Sequence, residues 1–378
     1  MTGAAKIAKY AKKNKYTYII AIILAVITAF FLYFISTNEN YYSKPIAKIT
    51  SINEESSQNE TIDGKKEQIK NQQIKAVIMN GSHKGEEVQL KNTTSYSQVY
   101  DLNFSVNDEV FISIHEGSNK QITDASIMDL KRDKYIVYIA LLFILLISLI
   151  GGIKGLRSLA SVVINFIIFS AVVSLFLRGY SLILISIIAS ILFIILSIAI
   201  VGGINKKTLS AIIGTMAGTL ISILIAVVVI QLNHWKGIHF EEMEFLTHTP
   251  EKIFIIEILI GTLGGIMDIA ISISSSIKEI FDKNNNVERK VLINSGKEIG
   301  QDIMGTMANT LVFAYLSGSI PMILLLIRNG YPISYITNIN LSLELVRALT
   351  GSIGIVLSVP ITIYTSVIIF KNNKIGEL

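Results

Sequence analysis

The chain has 378 residues, of which 51% are hydrophobic and only 16% charged, with a formal net charge of +5. That balance excludes a soluble globular enzyme and fits a polytopic membrane protein, because the apolar residues come in runs long enough to cross a hydrocarbon core of about 30 Å. Cysteine is absent, which excludes disulfides, thiolate metal sites and cysteine nucleophiles.

A basic segment, "MTGAAKIAKYAKKNKY", precedes the apolar run "TYIIAIILAVITAFFLYFIS" at 17–36. The run is long and no A-x-A-like cleavage site follows it, so an uncleaved anchor helix is expected. Residues 37–133 are polar and hold five short stretches of strand character: 45–52, 73–80, 85–92, 107–116 and 122–129. Apolar and polar residues alternate in most of them, and Gly, Asn and Ser separate them, which predicts a small all-β barrel of the OB or SH3-like type. The polar stretch 53–68 is expected to be a mobile loop within it.

From Tyr135 the sequence predicts seven further spans, near 135–153, 158–177, 181–202, 209–232, 253–276, 304–328 and 343–370. With the anchor this makes about eight crossings. Lys6, Lys9, Lys12, Lys13, Lys15, "KGLR" (154–157), "NKK" (205–207), the segment 278–303 and "KNNK" (371–374) then share one side. The short loops opposite hold far fewer basic residues: Arg178, Lys236, Lys252 and Arg328. The positive-inside rule places both termini in the cytoplasm and residues 37–133 outside a bacterial plasma membrane. The expected domains are therefore 1–36, 37–133 and a seven-helix membrane domain at 134–378. The basic excess follows this topology; membrane lipid is the expected surrounding, and no nucleic-acid partner or cofactor is expected.

Ionisable residues inside spans carry the functional signal. Gly261, Gly265, Asp268, Ser272, Ser275 and Glu279 fall on one face of a helix, with Gly264 and Ser276 beside them. Small residues on that face predict close helix packing, with Asp268 turned to protein or a cavity. Burial raises a carboxyl pKa and suits it to proton exchange. In the next helix Asp302, Thr306, Asn309 and Phe313 share a face, and Asp268 and Asn309 are expected at similar depth as a polar pair. The competing reading is interhelical hydrogen bonding without chemistry.

Ser210, Gly214, Gly218 and Ser222 recur at four-residue spacing and predict a packing ridge. Asn165 is expected to be interhelical glue. Glu344 and Arg347, one turn apart, are expected to pair or to gate an entrance. Pro321 and Pro360 interrupt the helical hydrogen bonding of their spans. Segment 278–303 is expected to lie on the membrane surface as an amphipathic link. His234, His239 and His248 sit in an outer loop without a known zinc-ligand spacing, so a metal is only weakly indicated and an interfacial element anchored by Trp235 and Phe240 is preferred.

The strings "LIGTLGGIMDIAISISSSIKEI" and "SGKEIGQDIMGTMANTLVFAYLSGSIPMILLL", preceded by "KGLRSLASVVINF" and "NKKTLSAIIGTMAGTL", resemble the bacterial YibE/F family. The resemblance spans about 135–370, and the anchor followed by an exported β-domain is similar to that family's layout. It implies multi-pass architecture and a membrane location.

Two functions are weighed. One is a secondary permease or export helper coupled to protons through Asp268. The other is a membrane scaffold or sensor whose β-domain binds a partner or envelope component. Another membrane subunit or a homo-oligomer fits either. An intramembrane hydrolase is not expected: all five histidines lie outside the predicted spans, and H-E-x-x-H and P-loop strings are missing.

Overall fold

The computed structural model describes residues 26, 28–62, 65–95, 101–117, 121–235, 239–240 and 249–371. The chain divides into two compact units, Met1–Gly152 and Ile153–Leu378.

The first unit opens with helix α1 (28–36) and a short 3-10 turn, Glu39–Tyr41. Five strands follow: β1 (Ile46–Ile62), β2 (Lys65–Ile78), β3 (Glu87–Ser95), β4 (Glu109–Glu116) and β5 (Ile122–Leu130). They pair antiparallel in the order β3-β2-β1-β4-β5. Edge strand β3 approaches edge strand β5, so the sheet nearly closes into a barrel. Long β1 pairs with both β2 and β4. The period-two pattern explains the core: Ile74, Ala76 and Ile78 of β2 face Val88 and Leu90 of β3 and Val110 and Ile112 of β4 in one apolar cluster. Residues 53–68, expected as a loop, largely continue the β1–β2 ladder, which pairs as far as Ile62 with Lys65. Backbone pairing between antiparallel neighbours prevails there over a polar sequence.

Lys131, 2% exposed, ties the ends of the barrel together. Its ammonium donates to Glu109 Oε2 at 2.6 Å and lies 3.3 Å from Asp133 Oδ2. That Asp133 oxygen also accepts from Asn38 Nδ2 at 2.7 Å and from the Tyr42 hydroxyl at 3.1 Å. Burial opposes the lysine charge, yet the hydrogen bond and charge of Glu109, with Asp133, hold its pKa above the ordinary value.

Helix α2 (Asp133–Leu177) is interrupted at Gly152, whose φ 53° and ψ −132° are not helical. In the second unit follow α3 (Leu182–Gly202), α4 (Lys206–Leu232), α5 (Pro250–Lys283), α6 (Arg289–Arg328), the single turn α7 (Ile333–Tyr335), a π-turn at Ile336–Asn340 and α8 (Leu341–Lys371). The expected surface-lying link at 278–303 is instead mostly the end of α5 and the start of α6. Leu292, Gly296 and Gly300, four residues apart, are buried on one face; Gly296 meets Ile363 and Gly300 meets Val359 of α8.

Helix α8 is the axis of the unit, in antiparallel contact with α4. Ser210, Gly214, Gly218 and Ser222 of α4 meet Ser366, Thr362, Ser358 and Gly354 of α8 in turn. The Ser210 and Ser366 hydroxyls are 2.5 Å apart, and Ser222 Oγ donates to the Thr350 carbonyl at 2.6 Å. A Cβ on Gly218 would lie 2.9 Å from Ser358 Cβ and 3.3 Å from its Cα, whereas one on Gly264 would meet nothing within 4 Å. Gly218→Val is therefore expected to lower stability by about 1–3 kcal/mol through overpacking. Gly264→Ala should leave it unchanged or slightly raised. Thermal unfolding of both variants in detergent checks the contrast.

Candidate functional site

Helix α5 sorts its residues by face. Ile266, Ile269, Ile273 and Ile277 are fully buried at i, i+3 and i+4 spacing, which fixes the inward side. At 100° per residue, Asp268 lies about 200° from Ile266 and points away from the core. It is exposed, as are Gly261 and Gly264, while Ser272 and Ser275 are half-buried. Of the two settings expected for Asp268, protein or a cavity, the described residues pack no helix against it. The unbroken isoleucine face outweighs the small-residue face in setting the rotation of the helix. The Asp268 carboxylate makes no hydrogen bond or ion pair among the described residues.

Not all the packing glycines read from the sequence meet a helix. Gly261 lies under the Tyr315 hydroxyl of α6, and Gly265 lies against Leu311 of α6 and Ile355 of α8. Gly264 has no such neighbour. It lines an apolar cavity of about 400 Å³ between α2, α3 and α5, walled by Val162, Asn165, Phe166, Phe169 and Phe193. The Asn165 side chain accepts from Ser197 Oγ at 3.0 Å. Asp268 lies one turn along the same open strip.

The contacts of Gly261 with Tyr315 and Gly265 with Leu311 fix an antiparallel register, which sets Asp268 level with Ala308 and Asn309. The two polar residues share a depth but not a core. Met307 and Leu311 pack inward from α6, so Asn309 between them faces out, and Asp302, Thr306 and Phe313 are exposed with it. Asp302 lies roughly 9 Å further along the axis at 1.5 Å per residue.

A second polar group joins α5 to α8. Arg347 donates through one nitrogen to Glu344 Oε1 and through the other to Glu257 Oε2, both at 2.6 Å, and its guanidinium lies 5.4 Å from the Phe254 ring centre. The Glu344–Arg347 pair read from the sequence is thus part of a three-residue cluster. Glu257 escaped the sequence reading, although it is a lone acid inside an apolar run, the same signal that identified Asp268. Arg347 Nε and the Tyr315 hydroxyl are buried without a partner. Two carboxylates share one guanidinium, so the cluster carries an excess negative charge when both are ionised.

The barrel carries a third group. His83, 8% exposed, places Nδ1 3.1 Å from Glu86 Oε1 and Nε2 3.0 Å from Glu116 Oε1. Carboxylates only accept, so satisfying both ring nitrogens requires both to carry hydrogen, which is the imidazolium form. The hydrogen bonds to Glu116 and then Glu86 hold the His83 pKa above its ordinary value. His83 lines a polar cavity of about 380 Å³ with Lys44, Asn80, Ser82, Ser113 and Glu116. Sequence spacing cannot reveal this pairing, because the sheet alone brings residues 83 and 116 together.

Of the loop histidines, His248 lies outside the described residues. Among the described residues no three His, Cys, Asp or Glu side chains are grouped to hold a metal ion. The Trp235 and Phe240 rings pack 5.7 Å apart, and Phe240 packs on Phe254 at 5.8 Å.

Among the described residues, six helices long and apolar enough to cross a membrane, preceded by a nearly closed β-barrel, define a mostly helical membrane protein with a small β-domain. The family model described as YibE/F-like protein matches residues 139–372, and that of the YibE/F family N-terminal domain matches residues 40–130. The chain belongs to the YibE/F family. No curated protein and no solved structure matches it.

Replacing Arg347 by Leu leaves two carboxylates facing each other across the α5–α8 contact. The expected loss is of order 2 kcal/mol, below that of a fully buried pair because Glu257 keeps 39% exposure. The double change Arg347→Leu with Glu257→Leu should recover part of it, read by thermal unfolding in detergent. His83 gives a pH signature. Its folded pKa is raised, so its contribution is full below the ordinary value of about 6.5 and is lost as pH rises through the folded value. The unfolding temperature of the β-domain is expected to fall across that interval, and His83→Gln should flatten the profile.

Proposed function

We propose that this protein is a secondary transporter or export helper of the bacterial plasma membrane, coupled to proton movement through Asp268. The observation that carries the reading is an unpaired carboxylate at mid-span on a glycine-floored open strip, one turn from a cavity. A charge at that depth costs about 2.5–3.5 kcal/mol on insertion scales. A carboxyl without a partner there relieves the cost by taking a proton or by meeting water, and both routes make it a proton-exchanging group. Asn309 of α6 lies at the same level, with Thr306 and Asp302 nearer the start of that helix.

The arrangement proposed is eight crossings with both termini cytoplasmic and residues 37–133 outside. The length of α2 supports the count: its 45 residues would reach about 68 Å, more than twice the hydrocarbon core, and Gly152 divides them. The bias of basic residues to one set of connections supports the orientation. The polar barrel cavity around His83 favours a second reading, in which the β-domain binds an envelope component and the helices serve as its anchor.

Vesicles containing the purified chain and a lumenal pH dye separate the two. An imposed pH gradient is expected to dissipate faster than in empty vesicles. Asp268→Asn should reduce the rate to background, and Asp268→Glu should retain part of it. Equal flux from wild type and Asp268→Asn would leave the anchor reading in its place.

A further inference from the structure

The outward face of α6 has the wrong chemistry for lipid. Exposed positions along α3 and α4 are mostly large and aliphatic, as at Ile188 and Leu224. On α6 the exposed residues from Asp302 to Gly318 recur every three or four positions and are mostly polar or small: Asp302, Thr306, Asn309, Thr310, Ser317 and Gly318. No residue in the most apolar 18-residue stretch of α6 is buried, against 56% of that in α8. Thr306, Thr310 and Ser317 donate their hydroxyl hydrogens to carbonyls of their own helix. Their oxygens keep outward lone pairs. The Asn309 amide makes no bond among the described residues and presents both donors and an acceptor.

We propose that this face is a homodimer interface, in which α6 packs on α6 of a second copy about a two-fold axis along the membrane normal. A partner inside the bilayer must match this stripe in depth as well as in hydrogen-bonding character. A two-fold axis in that direction supplies both, because every residue meets its own kind at its own depth. The Asn309 amide is self-complementary, since it donates and accepts, and the hydroxyl oxygens of Thr306 and Thr310 lie within a turn of it as further acceptors. Gly318 and Ser317 let the two backbones approach closely. Phe313, 70% exposed, is the one large apolar side chain within the stripe. Toward the start of α6 the stripe continues through exposed Lys297 and Glu298 to Asp302. These opposite charges lie within a turn or so of one another, so the long lysine side chain of each copy can reach an acid of the other across the axis. The inference stands on α6 alone and holds whether or not Asp268 moves protons.

Because the chain contains no cysteine, single cysteines report this contact cleanly. Thr306→Cys and Ser317→Cys in the full chain, oxidised in native membranes, are expected to give covalent dimers. Ile188→Cys and Leu224→Cys should stay monomeric. Subunit energy transfer in lipid vesicles supplies a second measurement: Asn309→Leu is expected to weaken dimerisation by roughly threefold to thirtyfold, the range of interhelical hydrogen bonds in membranes, while Asn309→Gln retains it. Three results overturn the proposal. One is monomers from both stripe cysteines. Another is labelling of both by a membrane-impermeant maleimide, which would mark a water-filled path. The third is their cross-linking to a second cysteine within residues 17–36, which would mean that the chain's own first helix covers the face.

Discussion

Hydrocarbon offers no hydrogen-bond partner, and nearly every feature of the membrane unit answers to that constraint. From Asp133 onward almost the whole described chain is helix, so its backbone groups pair locally. The polar side chains that remain are sorted by where they find partners. Ser210, Ser222, Ser358 and Ser366 are fully or almost fully buried between α4 and α8 and bond to one another or to carbonyls. Arg347 is neutralised by two carboxylates from two helices. Asp268 and Asn309 find no partner among the described residues, which makes them informative.

The α4–α8 seam shows how close packing is achieved without a hydrophobic drive between helices. Glycine or serine stands opposite serine, threonine or glycine at four successive turns, so the axes approach until side chains meet backbone. The apolar cluster of Ile266, Ile269, Ile273 and Ile277 with Ile355, Val359 and Ile363 then fills the space behind the seam and fixes the rotation of α5. Rotation decides chemistry here. Once the isoleucine face is committed inward, Asp268 has to lie on the opposite side.

Much of this was legible in the sequence. The long apolar helices follow from run length, and the α4 ridge follows from its four-residue repeat. The β-domain was legible as five alternating segments, whereas the extension of β1 and β2 through residues 53–68 was not, because those residues are polar and only their mutual pairing holds them in register. The link at 278–303 looked interfacial because it mixes charged and apolar residues. Leu292, Gly296 and Gly300 instead give it a face narrow enough for α8 to dock. The His83 and Arg347–Glu257 contacts join positions far apart in the chain, which no local pattern encodes. The sequence left open whether Asp268 meets protein or a cavity, because glycine and serine mark close approach as readily as they mark an open floor.

The two mid-chain acids of α5 show how context divides the work of identical chemistry. Glu257 is held 2.6 Å from a guanidinium, so losing its charge forfeits an ion pair and loosens α5 from α8. Asp268 has no such pair to forfeit. Protonation there removes an unfavourable charge and breaks no hydrogen bond or ion pair among the described residues. A group that gains and loses a proton repeatedly must do so without dismantling its surroundings. Within α5 that condition is met at Asp268 and denied at Glu257.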